Sequence, residues 1–94
     1  MKPVEKLTVK IVVSGAVQGV GYRYFIARAA SDLDIKGFVK NMWNGDVEII
    51  AEGMKEFLED LIKKAKKGPL HASVTGCKVE WLEFKNKYDN FEIF

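Results

Sequence analysis

From Leu7 to Ser14 the chain alternates, with Leu7, Val9, Ile11 and Val13 on one face of an extended segment and Thr8, Lys10 and Val12 on the other. This predicts a first strand. A glycine-rich stretch, Gly15 to Gly21, then precedes Tyr22, Phe25, Ile26, Ala29, Ala30 and Leu33, whose spacing is that of one helical face. Asp34 and Gly37 bracket the turn into a second strand, Gly37 to Met42. Asn44-Gly45, a two-residue hairpin signal, leads into a third, Asp46 to Glu52, with Val47, Ile49 and Ala51 inward. After Gly53, the residues Met54, Phe57, Leu58, Leu61, Ile62 and Ala65 predict a second amphipathic helix. Glu59 with Lys63 and Asp60 with Lys64 support it at i, i+4, and Gly68-Pro69 stops it. Ser73 to Phe84 reads as a long fourth strand with Cys77, Val79 and Trp81 on its inward face, and Phe91 with Ile93 suggests a short terminal strand. The order βαββαβ plus a short β predicts an α+β fold, a ferredoxin-like two-layer sandwich with two helices on one face of a mainly antiparallel sheet.

Composition narrows the setting. Ninety-four residues, 48% hydrophobic and 30% charged, fit one domain spanning residues 1–94 and leave no length for a second core. Cys77 is the only cysteine, so no internal disulfide or cysteine-rich zinc site is available and a reducing, cytoplasmic location is expected. Met1 to Lys6 lacks the apolar core of a secretory leader, and no apolar run approaches the roughly 20 residues that span a bilayer. A net charge of +2 attracts anions only weakly, so neither nucleic acid nor a membrane is an expected partner. Anion specificity has to come from a local site.

Such a site is suggested where strand passes to helix, in Gly15-Ala16-Val17-Gln18-Gly19-Val20-Gly21-Tyr22-Arg23. Glycines allow positive φ, so consecutive N–H groups can converge on an anion, and the helix start adds its own unpaired amides. Arg23 falls in the first helical turn, where a cation opposes the helix dipole unless an anion sits beside it. Its guanidinium can hold two phosphate oxygens in parallel hydrogen bonds. The segment lacks the Gly-Lys-Ser/Thr ending of a nucleotide P-loop, and its glycines do not spell G-x-G-x-x-G. On the residues alone it reads equally as a tight turn with a surface arginine. Asn41, near a strand end, reads on spacing as a residue that caps the following turn.

S-G-A-V-Q-G-V-G-Y-R, followed by A-x-x-L-x-I-x-G-F-V-K-N and N-G-D-V-E-I-I-A-E-G, resembles the two signature blocks of the acylphosphatase family. G-P-L-H-A-S-V and the closing F-E-I extend the resemblance over nearly the whole chain. It implies the ferredoxin-like fold, hydrolysis of a small-molecule acyl phosphate to a carboxylate and inorganic phosphate, and neither cofactor nor metal. It also implies that Arg23 and the loop amides of Ala16, Val17, Gln18, Gly19, Val20, Gly21 and Tyr22 bind the phosphoryl oxygens, while Asn41 orients the attacking water. A monomer is expected. The carboxylate is a good leaving group, so positioning and charge stabilisation can suffice without a covalent nucleophile.

Other residues carry less. His71, the only histidine, has no partner for a triad or a metal site and reads as a loop residue. The lysines Lys63, Lys64, Lys66 and Lys67 meet the dipole at a helix end and read as a solvated face. An RNA-recognition motif shares the βαββαβ order, and Lys36-Gly37-Phe38-Val39 faintly echoes its signature. However, Lys40 and Asn41 stand where stacking aromatics are needed, and the first strand offers none. A non-catalytic relative kept for anion binding is the other alternative, and intact Arg23, Asn41 and loop glycines weigh against it.

Overall fold

The computed structural model describes residues 5–94. The reading of Met1 to Lys6 as no secretory leader therefore falls, for residues 1–4, outside the described residues. The elements are β1 (Lys6–Ala16), α1 (Tyr22–Asp32), β2 (Lys36–Asn41), β3 (Val47–Met54), α2 (Lys55–Lys67), β4 (Ser73–Glu83) and β5 (Phe91–Ile93). They form one five-stranded sheet in the order β4-β1-β3-β2-β5, antiparallel throughout except for the parallel pair β2 and β5. This is the predicted ferredoxin-like sandwich with its short extra strand.

Alternation decides which face carries the core. Val9, Ile11 and Val13 of β1 pair with Ala51, Ile49 and Val47 of β3, and all six are fully buried. Against them pack Ile26, Ala29 and Ala30 of α1 and Leu58, Leu61, Ile62 and Ala65 of α2. The inward reading of β4 needs correction. Trp81 pairs with Val9 and so shares the helix-side face, but it is 41% exposed, and Cys77 is only half-buried. β4 is the edge strand and hydrogen-bonds only β1, so the helices do not cover its whole length. Partial burial still pushes the Cys77 thiol pKa up, and Lys66 only partly offsets this.

The far face is organised by one carboxylate. Thr8 Oγ1 donates to Glu52 Oε2 at 2.8 Å, Lys85 N–H donates to the same oxygen at 3.0 Å, and Lys87 N–H donates to Oε1 at 2.8 Å. Burial alone would raise the Glu52 pKa; the hydrogen bonds from Thr8 and from the main chain of Lys87, Lys85 and Tyr88 outweigh it and hold the carboxyl below its ordinary value. Glu52 thereby fastens the segment that carries the chain from β4, at one edge, to β5, at the other. That segment continues over Phe38, whose ring meets Tyr88 edge-on at 5.9 Å.

A second tie joins the two helices at the opposite end. The Tyr22 hydroxyl donates to the Ala65 carbonyl at 2.6 Å, with Tyr22 only 1% exposed. Four residues beyond Ala65 stands Pro69, which has no N–H to donate, so the side chain of Tyr22 satisfies an acceptor that the helix cannot. Burial, with a smaller contribution from nearby Cys77, pushes the Tyr22 pKa well above the ordinary phenol range.

Candidate active site

β1 ends at Ala16 after a register shift between Ser14 and Gly15, and the chain then loops through residues 17–21 into α1. Gly19 and Gly21 hold φ of 74° and 78°, left-handed values that glycine adopts without strain. A Cβ at either would meet nothing within 4 Å, so glycine is required there by backbone conformation and not by space. Gly21 is the N-cap of α1; it offers no side-chain cap, and the first turn carries no acidic residue.

The consequence is a run of unpaired donors. The Val17 amide donates to the Gly15 carbonyl at 3.0 Å, and the next intraloop bond runs from Phe25 N–H to the Gly21 carbonyl, also 3.0 Å. Between them, the N–H groups of Gln18, Gly19, Val20, Gly21, Tyr22, Arg23 and Tyr24 have no acceptor among the described residues. Tyr22 is buried, Gln18, Val20 and Arg23 are half-buried and Gly19, Gly21 and Tyr24 are exposed, and a glycine loop at a helix N-terminus is the arrangement that binds anions.

Of the residues expected at the site, Val17, Gly19, Gly21, Tyr22, Arg23 and Asn41 fall together, while Ala16, Gln18 and Val20 are outside the lining they share. One cleft of about 250 Å³ is lined by Val17, Gly19, Gly21, Tyr22, Arg23, Tyr24, Asn41 and Ile93. Among the described residues, Arg23 is the only charged side chain in that lining, which contains no histidine, carboxylate or thiol side chain. Its Nη1 donates to a main-chain oxygen of Phe94 at 2.5 Å, so the residue that follows β5 sets the direction of the guanidinium. Nothing local in the sequence signals this contact, which joins positions 71 apart. Asn41 is exposed at the end of β2. The turn that follows is capped by Asn44, whose Oδ1 accepts from the Asp46 N–H at 3.0 Å, and Asn41 has no part in it.

Gln18 is placed otherwise than its loop neighbours. Its side-chain amide donates to the carbonyls of Met42 and Asp46, both at 2.8 Å, and ties the glycine loop to the hairpin that presents Asn41. The same two residues close the hairpin, since Met42 N–H donates to the Asp46 carbonyl at 2.8 Å. The connection is therefore the three-residue loop Trp43-Asn44-Gly45, with Gly45 at φ 97°, and not the two-residue turn that Asn44-Gly45 suggests. Ala16 remains within β1, paired with Ser73. The side chain of Val17 is buried in the core. His71 lies exposed in the loop after α2, outside the cleft.

A second cavity, of about 200 Å³, lies at the other end of the sheet between Lys6, Leu33, Lys36, Phe57, Phe84 and Tyr88. None of the glycine loop, Arg23 or Asn41 reaches it. Among the described residues no group of three or more His, Cys, Asp or Glu side chains is placed to hold a metal ion.

Residues 9–93 match the family model described as Acylphosphatase. An acylphosphatase of Archaeoglobus fulgidus is 45% identical over 87 residues, which cover 93% of this chain and 97% of that protein. One from Caldanaerobacter subterraneus is 40% identical over 89 residues, covering 95% and 99%. The crystal structure of acylphosphatase from Bacillus subtilis, 36% identical, superposes with a TM-score of 0.90 over 94% of this chain and 98% of its own.

Proposed function

The chain belongs to the acylphosphatase family, and we propose that its cleft hydrolyses acyl phosphates by binding the phosphoryl group on the glycine loop and Arg23 while Asn41 orients water. The observation that carries this reading is the unbroken run of unpaired N–H groups from Gln18 to Tyr24, of which Gly19, Gly21, Tyr22, Arg23 and Tyr24 line one cleft with Asn41. A phosphoryl group in transfer spreads charge over three equatorial oxygens, and a fixed set of amides with one guanidinium is complementary to that distribution. The main-chain oxygen of Phe94 holds Arg23 in place before substrate arrives, which lowers the entropic cost of forming its bonds to phosphate.

Asn41 is neutral, so it cannot take the proton; its amide can accept from and donate to a water in line with the bond being broken. Water oxygen bonds to phosphorus as the acyl oxygen leaves with the bonding pair. The dianionic acyl phosphate becomes a carboxylate and dihydrogen phosphate, and the water proton passes to a phosphate oxygen. Among the described residues the lining holds no histidine, carboxylate or thiol side chain to serve as a general base, in keeping with that route.

The reading is tested by following hydrolysis of benzoyl phosphate, with and without a chelator, for the parent chain, Arg23→Ala and Asn41→Ala. Chelator should leave turnover unchanged, Arg23→Ala should chiefly raise KM, and Asn41→Ala should chiefly lower kcat. Full activity in both variants, or turnover lost to chelator, would overturn it. A reducing cytoplasmic compartment and a monomeric state belong to the same proposal. The compartment is supported by the free Cys77; among the described residues no helix is long and apolar enough to cross a membrane.

A further inference from the structure

The phosphate end of the cleft accounts for Arg23, Asn41 and the loop amides but not for two apolar side chains beside them. Tyr24, 69% exposed, follows Arg23 in the first turn of α1, and Ile93, 43% exposed, is the last residue of β5. Both line the same cleft as Gly19, Gly21, Arg23 and Asn41. The register of β5 explains why Ile93 is there. It pairs with Val39, a fully buried residue of the core face, so its side chain stands on the helix side of the sheet at the outer edge. Phe94 turns the other way, its ring 5.2 Å from that of Phe38, while its main-chain oxygen holds Arg23. One strand end thus fixes the phosphate-binding arm and presents an apolar side chain next to it.

Binding sites for small molecules are largely apolar clefts with a few convergent polar groups, and exposed apolar side chains contiguous with such groups mark ligand contact. The size fits. An apolar cavity of about 150 Å³ takes up benzene, so a cleft of about 250 Å³ has room for a ring-sized group beside a phosphoryl.

We infer that Tyr24 and Ile93 form the acyl subsite, and that the enzyme favours acyl phosphates whose acyl group is apolar or aromatic; the inference rests on the reading of this cleft given above. The test measures kcat and KM for benzoyl phosphate and acetyl phosphate with the parent chain, Tyr24→Ala, Tyr24→Phe, Ile93→Ala and, as a control, Leu70→Ala. Leu70 is 90% exposed and lies outside the cleft. Because a lost apolar contact in an open cleft sits at the weak end of hydrophobic discrimination, Tyr24→Ala and Ile93→Ala should each raise KM for benzoyl phosphate about five- to tenfold. KM for acetyl phosphate should stay within about twofold. Tyr24→Phe, which keeps the ring, should behave as the parent, and Leu70→Ala should change neither substrate. Equal changes for both substrates, or none for benzoyl phosphate in a parent that hydrolyses it, would overturn the acyl subsite and leave the phosphate mechanism standing. A parent chain inactive on both substrates would overturn the two together. Tyr24 is on the exposed side of a helix, so its variants decide the matter even if Ile93→Ala disturbs the short strand β5.

Discussion

Gln18→Ala separates positioning from binding within the glycine loop. The Gln18 amide makes two hydrogen bonds of 2.8 Å, to Met42 and Asp46, and these are the side-chain links between the loop and the hairpin bearing Asn41. Each such bond is worth about 1 kcal/mol net, and both carbonyls keep main-chain donors after truncation, so no large desolvation penalty is added. The expected loss of stability is about 2 kcal/mol, a fall of about 10 °C in Tm for a domain of this size. Activity should follow a distinct pattern. The main-chain donors and Arg23 are untouched, so KM should hold, but the hairpin is free to shift relative to the loop. Displacement of a positioning group by about 1 Å can cost up to about 100-fold, and a loss in kcat of about tenfold is expected here. Urea unfolding followed by circular dichroism, together with initial rates on benzoyl phosphate, reads both quantities. A variant with stability within about 0.5 kcal/mol of the parent and unchanged kcat would refute the assignment of Gln18 as a strut. A raised KM at unchanged kcat would refute it in another way, by placing the side chain on the substrate.

Two other perturbations probe the frame of the site. Tyr22→Phe leaves the buried Ala65 carbonyl without the donor that Pro69 cannot replace, and should cost about 1–3 kcal/mol in urea unfolding; a change below about 0.5 kcal/mol would show that another donor reaches it. Glu52, with its folded pKa held below the ordinary glutamate value of about 4.3, contributes stability that is complete above that value and is lost as pH falls through the folded one. Unfolding midpoints measured from about pH 6 down to about pH 2 should therefore fall, and Glu52→Gln should flatten that fall; an identical acid profile in the variant would contradict the role of Glu52.

Periodicity made most of the fold legible because the buried face is continuous. Val9, Ile11 and Val13 opposite Ala51, Ile49 and Val47 are readable from either strand alone. What alternation cannot convey is a strand's place in the sheet. Trp81 has the right parity for the core and is nevertheless 41% exposed, because β4 is an edge. At the hairpin, Asn44-Gly45 carried a correct turn signal, but its length was settled by the Met42 to Asp46 pairing. The candidate site was legible in proportion to how local its physics is. Glycines and an arginine at a strand-to-helix junction suggest an anion nest, and the unpaired donors from Gln18 to Tyr24 are what that pattern yields. Asn41 came from the family resemblance, and the structure adds that it lines the cleft with Arg23. The Gln18 strut, the Phe94 main-chain oxygen on Arg23 and the placement of Ile93 all depend on contacts between distant segments, which no local pattern encodes.

The central claim is that the amides from Gln18 to Tyr24 with Arg23 bind a phosphoryl group, and the most direct test is a titration of the ¹⁵N-labelled protein with inorganic phosphate. Expected are saturable shifts concentrated in the amide resonances of Gln18 to Tyr24, with Val17 moving less because its N–H is already bonded to Gly15, and much weaker saturation in Arg23→Ala. Shifts centred on the cavity around Lys6 and Lys36, or saturation unaffected by Arg23→Ala, would contradict it.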